Sequence, residues 1–367
     1  MDAAGYMREA LAEARKGSAV SSPNPTVGAV LVRDGAMVGR GHHVYSKLDH
    51  AEIAALREAG DAARGATLYV TLEPCRHQGR TGPCTRALIE AGVAKVVAAM
   101  RDPNPLVAGQ GFDELRAAGI ETEIDAAFTG EAERLNEPFV HFMRTGRPLV
   151  TLKAALTLDG KIAAPRDNTG WITSEQARLH VQQLRHRTDA IVTGIGTLLA
   201  DDCLLTDRTD TPRGRPLLRI VLDSQLRTPL HSRMIEICRG DVLIVTTSLA
   251  PPERRRALEA RGARVIVCDD GRGRTDPRQL VEWLGREKHL SLMIEAGSKV
   301  NWAALESGVV DKIYFYYAPK ILGGMASLPV VGGAGRQRRA DAIQFHDVKL
   351  HSITAREFAV EAWLDRD

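Results

Sequence analysis

Patterns typical of helices and strands alternate along the whole chain, and this alternation limits the possible folds more than any other feature. In the first 125 residues, an amphipathic helix over residues 6–16 is followed by alternating strand and helix signals. Such alternation predicts an α/β layer in which helices cover a sheet. Later apolar runs are continuous, which predicts a mostly parallel or mixed sheet between helices. These runs are DAIVTGIG, LLRIVLDS, DVLIVTT, RVIVCD, LSLMIEAG, KIYFYYAP and FAVEAWL.

A cluster of structure breakers divides the chain. Residues 145–148, with the sequence TGRP, stand directly before a new strand pattern, PLVTLKAAL. A chain of 367 residues also exceeds what a single hydrophobic core usually organises. We therefore predict two α/β domains, one over residues 1–145 and one over residues 146–367.

Composition and charge argue against several other classes of protein. Hydrophobic residues make up 44% of the chain and charged residues 26%, as in ordinary globular proteins and unlike coiled coils or disordered chains. The formal net charge is +3, from 49 Lys and Arg against 46 Asp and Glu. This charge is too small to indicate a nucleic-acid or membrane partner. Affinity for a phosphate group must therefore come from local sites.

The sequence predicts neither a membrane-spanning helix nor a signal peptide. No apolar run approaches the ~18–20 residues of a membrane-spanning helix, and the amphipathic start contains no signal-peptide core. Five cysteines are too few for a disulfide scaffold, so they are better explained by metal ligation or plain packing. We expect a cytoplasmic protein.

Three residues of the first domain form a candidate zinc site. His50 stands where a helix begins, Cys75 follows the strand pattern ATLYVTLE, and Cys84 opens the next helix. One imidazole and two thiolates are a suitable ligand set for Zn²⁺ and leave the fourth tetrahedral position open to water, as in a catalytic site. Helix N-termini also favour the thiolate form that zinc requires.

Glu52 is the candidate proton carrier of this site. It stands two residues after His50 in the first helical turn, so it can reach the bound water without binding the metal. Its carboxyl group could accept the proton of that water and return it to a departing amine. The H-x-E and P-C patterns are typical of zinc nucleobase deaminases, which have two residues between their cysteines where this chain has eight.

Two alternatives to a catalytic zinc site stay open. A structural zinc site would need a fourth protein ligand, for which His42, His43 and His77 are the candidates. His77, two residues after Cys75, is the one whose binding would rule out an open position. In the second alternative, Cys75 and Cys84 are buried residues near a helix cap and bind no metal.

Two segments near the candidate zinc site could recognise a substrate. In the sequence SPNPTVG, the carboxamide of Asn24 has a donor and an acceptor that could read the edge of a pyrimidine, although a simple turn also accounts for these residues. Between the two cysteines, residues 76–82 offer cationic and hydroxyl donors suited to a phosphate-bearing substrate.

The second domain contains a candidate phosphate-binding turn. The sequence GSKVN follows the strand LSLMIE and opens the helix NWAALESG. Backbone N–H groups at a helix start suit a pyrophosphate, and an ordinary strand-to-helix turn is the alternative. The five residues of this turn are Gly297, Ser298, Lys299, Val300 and Asn301.

Charged residues elsewhere in the second domain allow further interpretations. Three arginines at residues 254–256 follow the strand DVLIVTT and are one candidate for contacting a 2′-phosphate. Lys153 and Asp159 flank a strand-to-loop passage, where a structural ion pair is one possible arrangement.

From about residue 5 to residue 365, the chain resembles the bacterial bifunctional deaminase-reductases of riboflavin biosynthesis. In that family, eight residues also separate the two cysteines. The motifs that carry the resemblance are NPTVG, HAE, TLEPCRHQGRTGPC, TLDGKIA, GWITS, LLADD and IEAG. The resemblance implies a first domain with the three-layer α/β/α fold of cytidine deaminase and a second α/β domain like dihydrofolate reductase.

The resemblance also implies two reactions in sequence. The first is deamination of 2,5-diamino-6-ribosylamino-4(3H)-pyrimidinone 5′-phosphate. The second is NADPH-dependent reduction of the ribosyl side chain, which gives 5-amino-6-(5-phospho-D-ribitylamino)uracil. Zinc and NADPH are thus the implied cofactors.

Individual roles follow from the same resemblance. The zinc ligands are matched by His50, Cys75 and Cys84, and the proton-transferring carboxylate by Glu52. NADPH contacts are implied along the GSKVN turn and at Ala154, Trp171, Thr197, Asp201 and Ser224. Substrate contacts are implied at Thr169, Arg185, Leu205, Arg208 and Glu295.

Two positions depart from the family pattern. Thr169 stands where serine is usual and keeps the hydroxyl group. Cys203 replaces the usual proline, so we expect a less rigid loop after Asp202. Arg185 and Arg208 suit phosphate clamps, although the polar face of the helix HVQQLRHR would carry Arg185 in any case.

We therefore predict one polypeptide that first deaminates and then reduces a phosphorylated pyrimidine, as a homo-oligomer without a nucleic-acid or membrane partner. One alternative is a tRNA or nucleoside deaminase that carries a binding domain, although the near-neutral charge argues against it. A second alternative is a zinc-stabilised regulatory module, fused to a nucleotide-sensing domain, that turns over no substrate.

Overall fold

The chain folds into two compact units. The structure, a computed structural model, describes residues 1–76, 82–105, 107–166 and 169–365. The first unit comprises Met1–Gly146 together with Pro212–Arg215, and the second comprises Arg147–Thr211 together with Pro216–Asp367. Both units are of the α/β type, as the alternation of patterns predicts.

The first unit is built on a five-stranded sheet. Its elements are α1 (Ala3–Lys16), β1 (Gly28–Arg33), β2 (Ala36–His42), α2 (Ala51–Ala59), β3 (Thr67–Val70), α3 (Cys84–Ala91), β4 (Lys95–Ala98), α4 (Gln110–Ala117), β5 (Glu121–Ile124), α5 (Thr129–Leu135) and α6 (Glu137–Thr145). The strand order is β2-β1-β3-β4-β5. β1 pairs antiparallel with β2 and β3, whereas β3, β4 and β5 run parallel.

Strand β2 is absent from the sequence prediction. It forms a hairpin with β1 through a two-residue turn, in which Arg33 pairs with Ala36. The turn residues Asp34 and Gly35 have φ angles of +51° and +78°. Two positive φ angles are typical of the type I′ turn that an Asp-Gly pair favours.

Helices cover both faces of this sheet at very short range. A Cβ atom on Gly28 would lie 2.1 Å from the carbonyl oxygen of Ala10 in α1. A Cβ atom on Gly41 would lie 2.6 Å from the carbonyl oxygen of Ala51 in α2. Gly41 pairs with Ala29, the residue after Gly28, and successive strand residues point to opposite faces. The first unit is therefore layered as helix, sheet and helix.

The contact between α2 and β2 positions the candidate zinc site. Gly39 approaches the same helix, because its Cβ would lie 2.2 Å from the carbonyl oxygen of Ala55. Two glycines on one face of β2 thus let the backbone of α2 lie directly on the strand. His50 is the N-cap residue of α2, and Glu52 lies in its first turn.

The second unit is built on a nine-stranded mixed sheet. Its order is β11-β10-β9-β8-β12-β6-β13-β16-β15, for the elements β6 (Leu149–Thr157), β7 (Lys161–Ala163), α7 (Glu175–His186), β8 (Ala190–Gly194), α8 (Ile195–Asp201), β9 (Leu218–Leu222), α9 (Arg233–Glu236), β10 (Val242–Thr246), α10 (Pro252–Glu259), β11 (Arg264–Val267), α11 (Pro277–Arg286), β12 (Ser291–Ile294), α12 (Ser298–Glu306), β13 (Lys312–Ala318), β14 (Leu328–Pro329), β15 (Phe345–Ser352) and β16 (Phe358–Leu364). β16 pairs antiparallel with β13 and β15. The other pairs of the nine-stranded sheet are parallel.

Buried apolar residues cover both faces of the central parallel strands. One cluster includes Val192 and Ile220, and a second cluster includes Ile191 and Val221 from the same two strands. Because neighbouring residues fall into different clusters, these strands are buried on both faces. That is the arrangement the continuous apolar runs predict. In the described ranges, no helix combines the length and apolar character that crossing a membrane requires.

The close contact of α2 with β2 is testable by adding a single methyl group. We expect Gly41→Ala to lower the free energy of unfolding by about 1–3 kcal/mol, because overpacking forces backbone to shift. We also expect less bound zinc, because the displaced helix carries His50. Chemical denaturation and metal analysis measure both effects.

Gly130→Ala is the matched control. Gly130 lies in α5, where an added Cβ would meet only the Arg134 side chain at 3.6 Å among the described residues. We expect it to be neutral or to stabilise by up to about 1 kcal/mol, because alanine favours the helix. Equal losses in the two variants would contradict the proposed close packing.

Candidate active sites of the two units

Three side chains from distant parts of the first unit meet in one cluster. The ligand atoms of His50, Cys75 and Cys84 all lie within 4.8 Å of one another. His50 Nδ1 is 3.1 Å from Cys84 Sγ and 3.4 Å from Cys75 Sγ. The structure thus brings together the three residues that the sequence predicts as zinc ligands.

Local structure explains why the cysteines meet. Cys84 is the first residue of α3, and its backbone N–H points to the Cys75 sulfur at 3.5 Å. The next N–H, of Thr85, donates to the Cys75 carbonyl oxygen at 3.2 Å. The start of α3 therefore supplies hydrogen-bond donors to Cys75 and favours its thiolate form.

The donor set fits a tetrahedral zinc ion. Zn–N and Zn–S bonds of about 2.0–2.1 and 2.3 Å place nitrogen and sulfur ligands roughly 3.5 Å apart in a tetrahedron. The two distances from His50 Nδ1, 3.1 and 3.4 Å, are close to this value. One imidazole and two sulfur atoms also match the ligand preference of Zn²⁺.

Of the three candidates for a fourth zinc ligand, His42 and His43 contact groups outside the cluster. His42 Nδ1 lies 3.5 Å from the Glu13 carboxylate, and His43 binds Asp49 and Asn24 through its two ring nitrogens. His77 lies outside the described residues. The arrangement around His42 and His43 is consistent with an open coordination position.

The electrostatics of the cluster reflect its hydrogen bonds. A bond from the Cys84 thiol lowers the pKa of Cys75, and the same contact raises the pKa of Cys84. The hydrogen bond to Cys75 raises the pKa of His50. Metal binding at this cluster would therefore release the protons of Cys84 and His50.

Glu52 lies buried beside the cluster. Its residue is 4% exposed, and its carboxylate lies within hydrogen-bonding reach of the Cys84 thiol. Burial raises the pKa of Glu52 to about 7, and the neighbouring Cys75 adds to the rise. A carboxyl group with such a pKa can both accept and donate a proton near neutral pH.

The ring of His43 lies between Asn24 and the cluster. The Asn24 Nδ2 atom is 3.1 Å from His43 Nε2, and the His43 and His50 rings meet edge to face at 5.1 Å between centroids. The carboxamide of Asn136 binds both backbone polar groups of Thr26 in the same loop. From the sequence, His43 was a candidate only as a metal ligand, and Asn136 was missed because no local pattern connects it with residue 24.

Glu73 organises a second loop beside the candidate zinc site and was also missed. Its buried carboxylate accepts hydrogen bonds from the backbone N–H groups of Gly109 and Gly111, both at 2.9 Å. Further N–H groups of Asp102 and Phe112 lie at 3.2 and 3.4 Å. One side chain, two residues before Cys75, therefore fixes the path of the chain between β4 and α4.

In the second unit, Glu295 joins two cationic side chains. Arg185 donates from Nε and one terminal nitrogen to the two carboxylate oxygens, both at 2.8 Å. Lys153 Nζ lies 3.3 Å from the same carboxylate, and all three side chains are nearly buried. Burial alone would raise the pKa of Glu295, but Lys153 and Arg185 outweigh it and hold the pKa at about 2.

This cluster corrects one interpretation of the sequence and bears on a second, the prediction that Arg185 contacts a phosphate. Lys153 pairs with Glu295, while Asp159 accepts hydrogen bonds from the Thr157 hydroxyl and the N–H of Gly323, so the suggested ion pair between Lys153 and Asp159 was wrong. The fork of Arg185 is already occupied by Glu295 and by the Thr206 carbonyl oxygen. A phosphate would therefore have to compete for Arg185.

The GSKVN turn begins the helix earlier than the sequence predicted. α12 starts at Ser298, with Gly297 as its N-cap. Among the described residues, the buried Ser298 Oγ and Asn301 Oδ1 have no hydrogen-bond partner. The Ser298 hydroxyl and the N–H groups of a helix's first turn can donate to a phosphate oxygen, whereas Asn301 Oδ1 can only accept a hydrogen bond. The turn therefore fits a nucleotide phosphate.

A second helix start lies beside this turn. A Cβ atom on Gly297 would lie 3.7 Å from the Thr197 hydroxyl of α8, and one on Gly194 would lie 2.8 Å from the Val300 side chain. The structure thus brings Thr197, Gly297 and Val300 close to one another, and their contact with NADPH stays a prediction.

The remaining residues implied in the second unit are distributed over several elements. Ala154 and Leu205 are buried, whereas Thr169, Asp201, Lys299 and Arg208 are exposed. Trp171 is 70% exposed, with the Arg178 guanidinium 4.8 Å from its ring centroid. The carbonyl oxygen of Ser224 accepts a hydrogen bond from Thr247.

The arginines at residues 254–256 are only partly available to a ligand. Arg254 donates to the carbonyl oxygens of Leu226 and Thr228, and Arg255 binds Glu259. The first two arginines of the cluster thus stabilise the protein itself, while Arg256 is exposed.

The fold and the sites together define a class of protein: a zinc-dependent deaminase unit joined to a reductase unit. A family model for the cytidine and deoxycytidylate deaminase zinc-binding region matches residues 2–100, and a model for the RibD C-terminal domain matches residues 148–357. The chain belongs to the RibD family of bifunctional deaminase-reductases in riboflavin biosynthesis. The predictions of fold class, enzyme type, zinc and NADPH are thereby confirmed.

Curated relatives and solved structures cover nearly the whole chain. The riboflavin biosynthesis protein RibD of Escherichia coli (strain K12) is 42% identical to this chain. The match covers 95% of this chain and 99% of that protein. RibD of Actinobacillus pleuropneumoniae is 41% identical, over 92% of this chain and 89% of its own length. A structure of Acinetobacter baumannii RibD matches with a TM-score of 0.88 and 35% identity, over 99% of this chain and 98% of that chain.

A further structure supports the assignment of both units. The Thermotoga maritima protein matches with a TM-score of 0.83 and 33% identity, over 98% of each chain. It is described as a diaminohydroxyphosphoribosylaminopyrimidine deaminase/5-amino-6-(5-phosphoribosylamino)uracil reductase.

The zinc cluster is testable by replacing one sulfur ligand. We expect Cys84→Ser to lose most of its bound zinc, because a serine hydroxyl is a poor ligand for this metal. Cys238→Ser is the matched control and should keep its zinc, because Cys238 lies outside the cluster. Metal content of the purified full-length proteins measures this, and undiminished zinc in Cys84→Ser would contradict the ligand assignment.

The buried Glu295 cluster predicts a pH-dependent contribution to stability. At neutral pH we expect Glu295→Gln to lower the free energy of unfolding by about 3 kcal/mol, because two buried cations lose their counter-charge. The ordinary pKa is 4.5 and the folded value about 2, so the wild type loses this advantage as the pH falls from about 4.5 towards 2. The difference between the two proteins should shrink over that range.

Glu259→Gln is the control for this measurement. Glu259 forms an exposed pair with Arg255, and such pairs contribute at most about 1 kcal/mol. Denaturant unfolding at several pH values compares the three proteins. An equal and pH-independent loss in both variants would show that Glu295 is not held by its two cations.

Proposed function

We propose that the first unit deaminates 2,5-diamino-6-ribosylamino-4(3H)-pyrimidinone 5′-phosphate and that the second unit reduces the product's ribosyl side chain with NADPH. The observation that carries the proposal is the meeting of His50, Cys75 and Cys84 within 4.8 Å, beside the buried Glu52. Family membership and the description of the Thermotoga maritima relative support the substrate assignment.

In the deaminase unit, we assign metal binding to His50, Cys75 and Cys84 and proton transfer to Glu52. A zinc ion bound there supplies a Lewis acid that makes water a better nucleophile. Glu52 removes a proton from the attacking water and later delivers a proton to the departing amine. A pKa of about 7 supports both directions of transfer.

In the same unit, Asn24 recognises the pyrimidine. The imidazole ring of His43 lies between the Asn24 carboxamide and His50. The separation between Asn24 and the metal ligand is therefore comparable to the size of a small heterocycle. Hydrogen bonds to the edge of the ring orient the carbon that carries the amine towards the metal and Glu52.

In the reductase unit, NADPH supplies a hydride. Backbone N–H groups at the start of α12 and the Ser298 hydroxyl hold its phosphates, together with Thr197 from α8, and Asn301 is a further cofactor contact that can accept a hydrogen bond. Further cofactor contacts are assigned, from the family resemblance, to residues of several elements. They are Ala154, Trp171, Asp201, Ser224, Gly297, Lys299 and Val300.

The substrate of the reductase unit binds near Glu295. This carboxylate stays ionised through its contacts with Lys153 and Arg185, so it can accept hydrogen bonds from ribosyl hydroxyl groups. Arg208 is exposed and suits the substrate phosphate. Thr169 and Leu205 complete the proposed substrate contacts.

We further propose that the enzyme acts in the cytoplasm as a homo-oligomer, without nucleic-acid or membrane partners. The small net charge of +3 supports the proposed lack of nucleic-acid binding. Residues 1–145 and 146–367 are the proposed functional domains.

Replacing Glu52 tests the division of labour between the two units. We expect Glu52→Gln to slow ammonia release by about 10²–10⁴-fold, because the general base and acid is lost. Reduction of 5-amino-6-(5-phosphoribosylamino)uracil should continue at the wild-type rate, and zinc should stay bound. Ammonia release and NADPH oxidation are measured separately on the full chain.

Glu58→Gln is the matched control on the same helix. Glu58 lies on the exposed side of α2, so both activities should stay unchanged. Loss of both activities in a folded, zinc-containing Glu52→Gln protein would refute independent sites.

A further inference from the structure

Asn136 holds the loop of Asn24 through the protein backbone. It lies between α5 and α6 and is 2% exposed. The N–H of Thr26 donates to Asn136 Oδ1 at 2.7 Å, and Asn136 Nδ2 donates to the Thr26 carbonyl oxygen at 3.0 Å. The carboxamide therefore pairs with both backbone polar groups of Thr26, with its oxygen as acceptor and its nitrogen as donor.

His43 fixes the side chain of Asn24. Its Nδ1 atom is 2.7 Å from the carbonyl oxygen of Asp49, and a carbonyl oxygen can only accept, so Nδ1 carries the proton. The other ring nitrogen, Nε2, faces the Asn24 side chain and accepts, because an amide nitrogen can only donate. The Asn24 atom that faces it at 3.1 Å is Nδ2, which donates.

This arrangement determines which atom of Asn24 is available to a ligand. Because Nδ2 is turned towards His43, Oδ1 occupies the other branch of the carboxamide. An oxygen accepts hydrogen bonds, so it pairs with an N–H group of a heterocycle and not with a ring carbonyl. The ring of His43 also separates Asn24 from the zinc ligand His50 by a fixed distance.

Contacts within the loop add to its rigidity. The Asn24 N–H donates to the Ser21 carbonyl oxygen at 2.9 Å, and the hydroxyl groups of Ser21 and Thr26 lie 2.9 Å apart. A loop held in its binding conformation loses less conformational entropy when a ligand arrives. Release of the loop should therefore weaken substrate binding more than the chemical step.

We propose that Asn136 and His43 are positioning residues that hold the Asn24 carboxamide with its oxygen available to an N–H group of the pyrimidine. Asn136 fixes the backbone of the loop, and His43 fixes the orientation of the carboxamide. The proposal rests on the proposed function, in which Asn24 contacts the substrate. It adds two residues and a specified polarity to that contact.

The first experiment is a double-mutant cycle on the full-length, zinc-containing enzyme. The variants are Asn136→Leu, Asn24→Ala and the combination of both, with KM and kcat measured for ammonia release. We expect each single variant to raise KM by about tenfold, as for a lost hydrogen bond in a binding site, with a smaller change in kcat. The double variant should have the KM of Asn24→Ala, because Asn136 acts through Asn24.

His43→Phe gives an independent arm of the cycle. Phenylalanine keeps a ring beside His50 but removes both hydrogen bonds. We expect its KM to rise about as much as that of Asn136→Leu and to show no further increase when combined with Asn24→Ala. Zinc content is measured for each variant, so that a change at the metal is recognised separately.

Two internal controls separate positioning from general damage. Thr129→Val removes a different hydrogen bond of the first unit, from the Thr129 hydroxyl to the Ala99 carbonyl oxygen, and should leave KM unchanged. Reductase turnover on pre-deaminated substrate should be unchanged in every variant. If Asn136→Leu does not fold, Asn136→Asp keeps the acceptor for Thr26 and removes the donor, and the same cycle is run with it.

Asn24→Asp tests the proposed polarity. The carboxylate keeps an oxygen on the ligand side, but its second oxygen would face the acceptor Nε2 of His43, so the variant is compared in the His43→Phe background. There we expect Asn24→Asp to have a lower KM than Asn24→Ala, and a higher KM would overturn the proposed orientation.

The outcomes test separately the positioning roles of Asn136 and His43 and the proposed function of the deaminase unit. If Asn24→Ala leaves KM unchanged, the proposed substrate contact of Asn24 is wrong, and the positioning roles fall with it. If Asn24→Ala raises KM but Asn136→Leu and His43→Phe add their full effects in its background, the contact stands and the positioning roles are wrong. If the zinc-containing wild-type protein does not deaminate the proposed substrate, the proposed function is wrong.

Discussion

The deaminase unit depends on the direct contact between the backbone of α2 and strand β2. Gly39 and Gly41 allow this contact, since a Cβ on either would overlap the helix. The contact fixes the position of His50 and Glu52 relative to the segment after β3, which contains Cys75. Because metal ligands must lie within a few tenths of an ångström of their places, a displaced helix would separate the imidazole from the two sulfur atoms.

The two units use buried charge in different ways. In the first unit, burial and the neighbouring Cys75 raise the pKa of Glu52 to about 7, where it can exchange a proton. In the second unit, Glu295 is equally enclosed, but Lys153 and Arg185 hold its pKa at about 2. The two carboxyl groups therefore differ at neutral pH: Glu52 can take up and release a proton, whereas Glu295 remains an anion that can accept hydrogen bonds.

Much of the fold and of the zinc site could be predicted, because the signals are local. The starts of α2 and α3, the ligand types and the position of Glu52 follow from residues near one another in sequence. The Asp34-Gly35 pair is also a local signal, and it would have predicted the β2 hairpin that the strand patterns missed. Asn136 and Glu73 gave no signal, because Asn136 acts on Thr26, 110 residues away, and Glu73 acts on backbone N–H groups 29–39 residues away.

The sequence by itself determined the chemistry that each segment can offer: a soft metal-ligand set, a carboxylate two residues from the first of these ligands, a helix start suited to phosphate, and strands apolar enough to be buried. Only the tertiary structure decided which of these groups meet and in which state. The pairing of Arg185 with Glu295, the tautomer of His43 and the direction of the Asn24 carboxamide depend on partners from distant parts of the chain. Hydrogen bonds and buried charges act over a few ångströms, so their outcome is set by spatial neighbours, which separation along the chain does not specify.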